Sequence, residues 1–226
     1  MPRRSRPASI LTDQSPFIIR LMPKLGVEAK EARRRHILEA ALRCFARGGY
    51  YPTTIDDIAA EAAVSKGAPY VYFEGKEALF RALCESWDCG LAEQIDGAVA
   101  GLDEGERSSP RRVLETVIGA IGEHVAAHSD LCRVLIEAQT QAAYLDGVAG
   151  VVRASQAENR ARLEQLIERG KACGEWPADT ESALDARLIV ATIRGLMAEW
   201  HLRPGSFSWP EMARLIAHQR TCEEQR

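Results

Sequence analysis

The stretch Ser65-Lys66-Gly67-Ala68-Pro69-Tyr70-Val71-Tyr72 gathers more hydrogen-bonding chemistry than its length suggests. It holds three hydroxyls and an ammonium, and a second ammonium, Lys76, follows four residues later. Such groups donate to phosphate oxygens and to base edges without a metal or a nucleophile. Gly67 and Ala68 add little or no side chain, so the backbone between the donors can approach another surface closely. Glycine and proline are poor helix formers and contribute little to a core. The segment is suited to touching something outside the protein, and DNA offers the matching phosphates and base edges.

Catalytic chemistry has no comparable foothold. The sequence contains no G-x-S-x-G, no Walker loop, no H-E-x-x-H and no G-x-G-x-x-G after a strand. Glu137 and Glu199 lie in helical contexts with no evident partner. An enzyme is therefore not expected, nor a cofactor. His124, His128 and Cys132 are spaced i, i+4, i+8, which would align three metal ligands on an unbroken helix. Ser129–Asp130 resembles a cap that breaks such a helix, so no metal site is expected. The six cysteines, Cys44, Cys84, Cys89, Cys132, Cys173 and Cys222, include no C-x-x-C pair and read as free thiols.

Charge separates along the chain. Residues 1–76 carry 13 Lys and Arg against 8 Asp and Glu, whereas the remaining 150 residues carry 16 against 24. A basic front on an acidic body suits a polyanion-binding module attached to something else. No run approaches the roughly 18 apolar residues of a membrane span. The N-terminus lacks the apolar core of a secretory signal, so the cytoplasm is the expected compartment and no membrane partner is expected.

The elements that must hold these groups follow from apolar spacing, and the expected class is all-α. Residues 1–26 are rich in Pro, Arg and Ser without a period. They read as a mobile basic arm, or as leader to a start at Met22, and DNA contact and simple disorder both suit the arm. From Val27, Ile37, Leu38, Ala41, Leu42 and Phe45 form one stripe that Gly48–Gly49 ends. The run Arg33–Arg35 fits either a phosphate contact or a solvated face.

Thr54 and Asp57 form a capping box for a helix buried through Ile55, Ile58, Ala59 and Ala62. The Thr54 hydroxyl is also placed to bond a phosphate, with the helix cap as its other reading. Ser65 then caps a third, short helix, with Val64 and Phe73 turned inward. Together these make a helix-turn-helix, in which the second helix of the pair enters a major groove. A long helix starts at Lys76, and after the polar break at 103–112 further helices are predicted near 110–127, 130–146, 149–172, 180–202 and 209–222.

The run GGYYPTTIDDIAAEAAVSKGAPYVYFEGKEALF resembles the DNA-binding region of TetR-type transcriptional regulators. Gly49, Thr53, Thr54, Ile58, Ala59, Ala62, Val64, Ser65, Gly67, Tyr70, Phe73, Lys76 and Leu79 fall on the family pattern. Ala63 departs from it where glycine is usual in the turn, and Ala68–Pro69 where Thr-Leu is common. The resemblance implies phosphate-backbone contacts for Tyr70 and Lys76. Lys66, Ala68 and Tyr72 are the candidates for base readout, with Ser65 and Gly67 in the same groove. It also implies a three-helix DNA-binding domain over 27–76 and a helical effector-binding and dimerisation domain over 77–226.

Within that body, Trp87, Leu91, Val117, Ile121 and Leu135 are expected to form apolar walls of a ligand pocket. Gln139, Tyr144, Val151 and Asn159 are expected beside them. Leu184, Leu188, Ala191, Gly195, Leu196 and Trp200 offer more apolar surface than one helix face needs, as a core helix or, following the family, as a homodimer interface. The expected function is a repressor that leaves a palindromic double-stranded operator on binding a small apolar or amphipathic effector. The alternative is control of the same DNA binding by thiol oxidation or a protein partner.

Overall fold

The computed structural model describes residues 18–141 and 146–220, with side chains for 26–137, 149–150 and 152–219. Among these residues the chain is helical, with nine α-helices, one 3₁₀ turn and no strand. Gln139, Tyr144 and Val151, and Cys222 near the C-terminus, lie outside the described side chains.

Helix α1 runs Ile18–Gly48 and starts well before Val27, where the apolar period begins. Pro23 falls close enough to its start that the carbonyl left without a partner is that of Ile19, at the first turn. Gly49 closes the helix with φ +81°, a left-handed conformation natural to glycine, and its N–H donates to Phe45 O at 2.8 Å.

Helix α2, Ile55–Glu61, has the expected capping box. Thr54 Oγ1 accepts from Asp57 N at 3.1 Å, and Asp57 Oδ2 accepts from Thr54 N at 2.9 Å and from the Thr54 hydroxyl at 2.6 Å. Those bonds hold the Asp57 carboxyl below its ordinary range, the hydroxyl bond first. Ile37, Ala41, Phe45, Ile58, Ala62, Phe73, Leu79 and Phe80 form a buried core beneath, where Phe45 and Phe80 meet edge to face at 5.6 Å.

Helix α3 (Lys76–Ala100) runs from this core into the body, followed by α4 (Glu104–Ser108), α5 (Pro110–Ala127), α6 (Ser129–Gln141), α7 (Asp146–Cys173), α8 (Ser182–Leu202) and α9 (Trp209–Arg220). The short α4 occupies the stretch expected as a polar break, and a second capping box of Asp103 and Glu106 starts it. Helix α5 packs against α3 and α9, and α7 against α8 and α3. Two glycines permit close approach of bulky rings. A Cβ on Gly122 would lie 2.2 Å from the Trp209 ring, and one on Gly170 would lie 2.2 Å from that of Trp176.

Candidate functional site

The segment after α2 is tighter than the short helix expected from Ser65. Ala68 N–H donates to Ser65 O at 2.9 Å, and the 3₁₀ turn Pro69–Val71 follows, with Tyr72 N–H on Pro69 O at 3.1 Å. Pro69 has no N–H to return to Ser65, so an α-turn cannot close there and i→i+3 bonds take over. Ala68, not Ser65, is the N-cap residue, without a side-chain cap.

Pro69 is buried, so the ring anchors this turn to the core. Opposite it, Ser65, Lys66, Gly67, Tyr70 and Val71 are exposed. Tyr70 is 58% exposed and Val71 70%. Tyr72 is half-buried against the core, and Ala68 is also half-covered. Val71 thus holds the outward position that the sequence reading gave to Tyr72. Gly67 and Val71, and Lys66 and Tyr70, are each four residues apart, a spacing that could have identified this face.

Gly67 is informative for what does not surround it. A Cβ built there meets nothing within 4 Å, and its φ lies outside the left-handed region. Nothing within the described chain requires glycine at this position.

The two lysines differ in setting. Lys66 Nζ lies 2.6 Å from Asp56 Oδ2, with both side chains well exposed. Lys76 is drawn inward: Nζ donates to Tyr50 O at 2.9 Å and Tyr51 O at 3.1 Å, and sits 4.4 Å from the Tyr50 ring centre. Burial lowers its pKa, against the pull of Glu137. Arg34 lies 5.0 Å over the Phe73 ring, while Arg33 and Arg35 are exposed.

The body encloses a cavity of about 220 Å³ between α3, α5, α6, α7 and α8. Trp87, Leu91, Val117, Ile121, Leu135 and Asn159 all lie on its wall. Sequence reasoning missed the charged groups there, Asp88 and Arg162, and Arg194 from α8. Arg162 stands in a polar run, and nothing local in the sequence sets Asp88 and Arg194 on one wall, so no sequence signal marks them. Cys84 also reaches the wall, and burial pushes its thiol up to about 12.

On α8, Leu184, Leu188, Ala191 and Gly195 are exposed in one stripe, Leu184 by 53% and Leu188 by 47%. Leu196 and Trp200 turn to the core instead, Trp200 joining Phe207 at 5.3 Å and Trp209 at 6.2 Å. Leu202, five turns beyond Leu184, continues the outward stripe, and Leu215 of α9 is exposed too.

His124, His128 and Cys132 do not converge. The helix breaks at His128, His124 Nδ1 pairs with Gln94 Oε1 at 2.9 Å, and Cys132 is fully buried. Among the described residues no three His, Cys, Asp or Glu side chains gather as a cation site. Nor is any described helix long and apolar enough to cross a membrane.

Residues 37–83 match the family model for bacterial regulatory proteins of the tetR family, and residues 110–220 match that for the C-terminal region of BetI-type transcriptional repressors. The transcriptional regulator TtgR of Pseudomonas putida is 32% identical over 196 residues, which cover 79% of this chain and 84% of that protein. AcrR of Shigella flexneri is 29% identical over 195 residues, covering 84% and 88%. The chain spans only 35% and 36% of two other curated relatives it matches. Among solved structures, a SmeT–triclosan complex superposes with a TM-score of 0.70 at 20% identity, over 86% of this chain and 93% of that one.

Proposed function

The chain belongs to the tetR family of bacterial regulatory proteins, and from that premise we propose a homodimeric repressor that releases a palindromic operator on binding a small apolar or amphipathic molecule. Residues 27–76 form the reading head and 77–226 the effector-binding and dimerising body, with α3 continuous from one into the other.

The observation that carries the DNA assignment is Gly67. It sits bare in the middle of an exposed face, and the fold makes no demand for it. A surface approaching from outside supplies the demand: with Gly67 the backbone can lie close to DNA, flanked by Lys66, Tyr70 and Val71. The Tyr70 hydroxyl suits a phosphate, and Val71, like Ala68, suits a thymine methyl. Lys66 reads base edges by exchanging Asp56 for them. Thr54 and Ser65 add hydroxyls at the edges of the face. Lys76 retains one ammonium proton beyond its two carbonyl bonds for a phosphate.

The cavity supports the effector assignment, as does the triclosan in the similar SmeT complex. The outward stripe Leu184, Leu188, Ala191 and Gly195 supports pairing of α8 with its copy, which buries apolar surface otherwise left in water. Two heads then fall on half-sites about 34–36 Å apart, or a multiple of that. A ligand that prefers a different spacing of the heads by a few kcal/mol shifts the population away from the operator.

Selection of bound DNA from a random pool tests the proposal, followed by affinity measurements with Gly67→Ala. An inverted repeat is expected. Gly67→Ala is expected to keep or slightly raise stability, by up to about 1 kcal/mol, while weakening operator binding at least tenfold. Unchanged operator affinity would remove the segment from the interface.

A further inference from the structure

The cavity's apolar wall sets the body of a ligand, and its charged groups set the polar end. Three charged side chains face it: Asp88 from α3, Arg162 from α7 and Arg194 from α8. Arg162 is engaged at the rim, where Nη2 lies 2.7 Å from Glu158 Oε1 and both side chains are more than half exposed. Asp88 Oδ1 accepts from the Ser155 hydroxyl at 3.0 Å, and burial raises its pKa.

Arg194 is in a different position. It is half-buried, and no described carboxylate lies within the 4.0 Å of an ion pair. Asp88 acts on it only from farther away, and Arg160 repels it. What meets the guanidinium is the Gln156 amide, its oxygen turned to accept from Nη1 at 2.8 Å and Nη2 at 3.0 Å. A neutral amide compensates none of the charge, and a guanidinium carries five N–H donors.

A ligand entering this cavity displaces water from around Arg194. A neutral ligand leaves the buried charge less compensated than before. A cationic one adds repulsion from Arg194, with only Asp88 to offset it, a carboxylate whose charge burial already opposes. An anion does the reverse, because its charge and the guanidinium cancel in a low dielectric with charge-assisted hydrogen bonds.

We propose that the cavity is built for an amphipathic anion, its carboxylate on Arg194 and its apolar body against Trp87, Ile121, Ile193 and Met197. The proposal rests on the cavity being the effector site. It specifies the ligand class: an organic acid with one charged end and one compact apolar end.

The test compares three probes of equal chain length, decanoate, decanamide and decylamine, at neutral pH. Binding is measured calorimetrically with the full chain, with Arg194→Gln and with Asp88→Asn. Decanoate is expected to bind tightest. Arg194→Gln should weaken it about tenfold or more and leave decanamide within a few-fold, and Asp88→Asn should tighten it by removing an opposing charge. Arg194→Lys, which keeps the charge and loses the fork, should fall between, and serves if Arg194→Gln does not fold. Tightest binding of decylamine, binding of none of the three, or decanoate affinity indifferent to Arg194 overturns the proposal.

Operator release is measured beside binding and separates the two levels. If decylamine or decanamide binds and releases the operator while decanoate does not, the anion is wrong and the effector site stands. If decanoate binds with the Arg194 dependence but the operator is held unchanged, the anion stands and the effector role falls.

Discussion

Glu137 Oε1 accepts a hydrogen bond from the Tyr50 backbone N–H at 2.8 Å, which fastens the end of α6 to the turn between α1 and α2. Four residues earlier, Arg133 donates from Nη1 to Ala46 O at 2.9 Å and from Nε to His201 Nε2 at 3.1 Å. Leu135, between them, lines the cavity. One helix therefore touches the cavity, the base of the reading head and the end of α8. A displacement of α6 by a ligand reaches Tyr50 through the Glu137 bond and Ala46, at the end of α1, through the Arg133 bond.

Glu137→Ala removes that carboxylate and leaves the Tyr50 N–H without its partner. Loss of a charged acceptor is expected to cost about 1–3 kcal/mol of stability. Effector binding to the body should persist, and the concentration needed to release the operator should rise several-fold as coupling weakens. Calorimetry with effector alone and operator titrations with effector present check the two halves. Full release at the original effector concentration would take Glu137 out of the coupling.

Ala63 has φ +50°, in the left-handed region where a Cβ crowds the following carbonyl. Its N–H donates to Ala60 O at 3.0 Å, and the turn after α2 depends on this conformation. Ala63→Gly relieves strain of about 1–2 kcal/mol and gives back about 0.5–1 kcal/mol in unfolded-chain entropy. The expected net is a gain below about 1.5 kcal/mol, seen as a melting temperature higher by roughly 2–4 °C. A melting temperature that falls would show the strain is absent.

Much of this structure was legible in the sequence, for reasons that differ by element. The α2 cap was readable because Thr54 and Asp57 satisfy each other within one turn and need nothing distant. The body helices were readable because their apolar residues recur at helical spacing. The 3₁₀ form of 69–71 follows from an N–H that Pro69 lacks in any fold, but the burial of its ring, which decides the outward face, was not readable. Lys76 looked outward in sequence, and only the fold brings the Tyr50 and Tyr51 carbonyls beneath its ammonium. Arg194 and Asp88 were invisible for the same reason, standing 106 residues apart in sequence and on one wall in space.

His124 is buried beside Trp87, its ring 4.5 Å away edge-on, and 4.3 Å from the His128 ring. Burial lowers its pKa below the ordinary 6.5, with His128 adding to the effect. His201 is lowered too, by burial and then by Arg133. Both bind protons more readily unfolded than folded. Their contribution is intact above about 6.5 and is lost as pH falls through the folded values. Melting temperature is therefore expected to drop as pH is lowered below about 6.5, before carboxylates begin to titrate. His124→Gln should remove up to about 1.4 kcal/mol per pH unit of that slope. An unaltered slope would place the dependence elsewhere.

Leu188 lies at the middle of the outward α8 stripe, nearly half exposed and four residues from Leu184. In a single subunit, Leu188→Glu places a charge in water and costs little, so helicity and melting of the isolated chain should change slightly. In the proposed dimer it sets one carboxylate from each subunit into the paired α8 surface, where like charges without partners cost several kcal/mol. The variant is expected to sediment as a monomer at concentrations where the parent is dimeric. Operator affinity should fall by about a hundredfold or more, because one head alone reads one half-site. Exposed Leu215 on α9 offers a second probe, and Leu215→Glu should weaken the dimer as well. A Leu188→Glu protein that remains a dimer and binds operator normally would move the interface off α8.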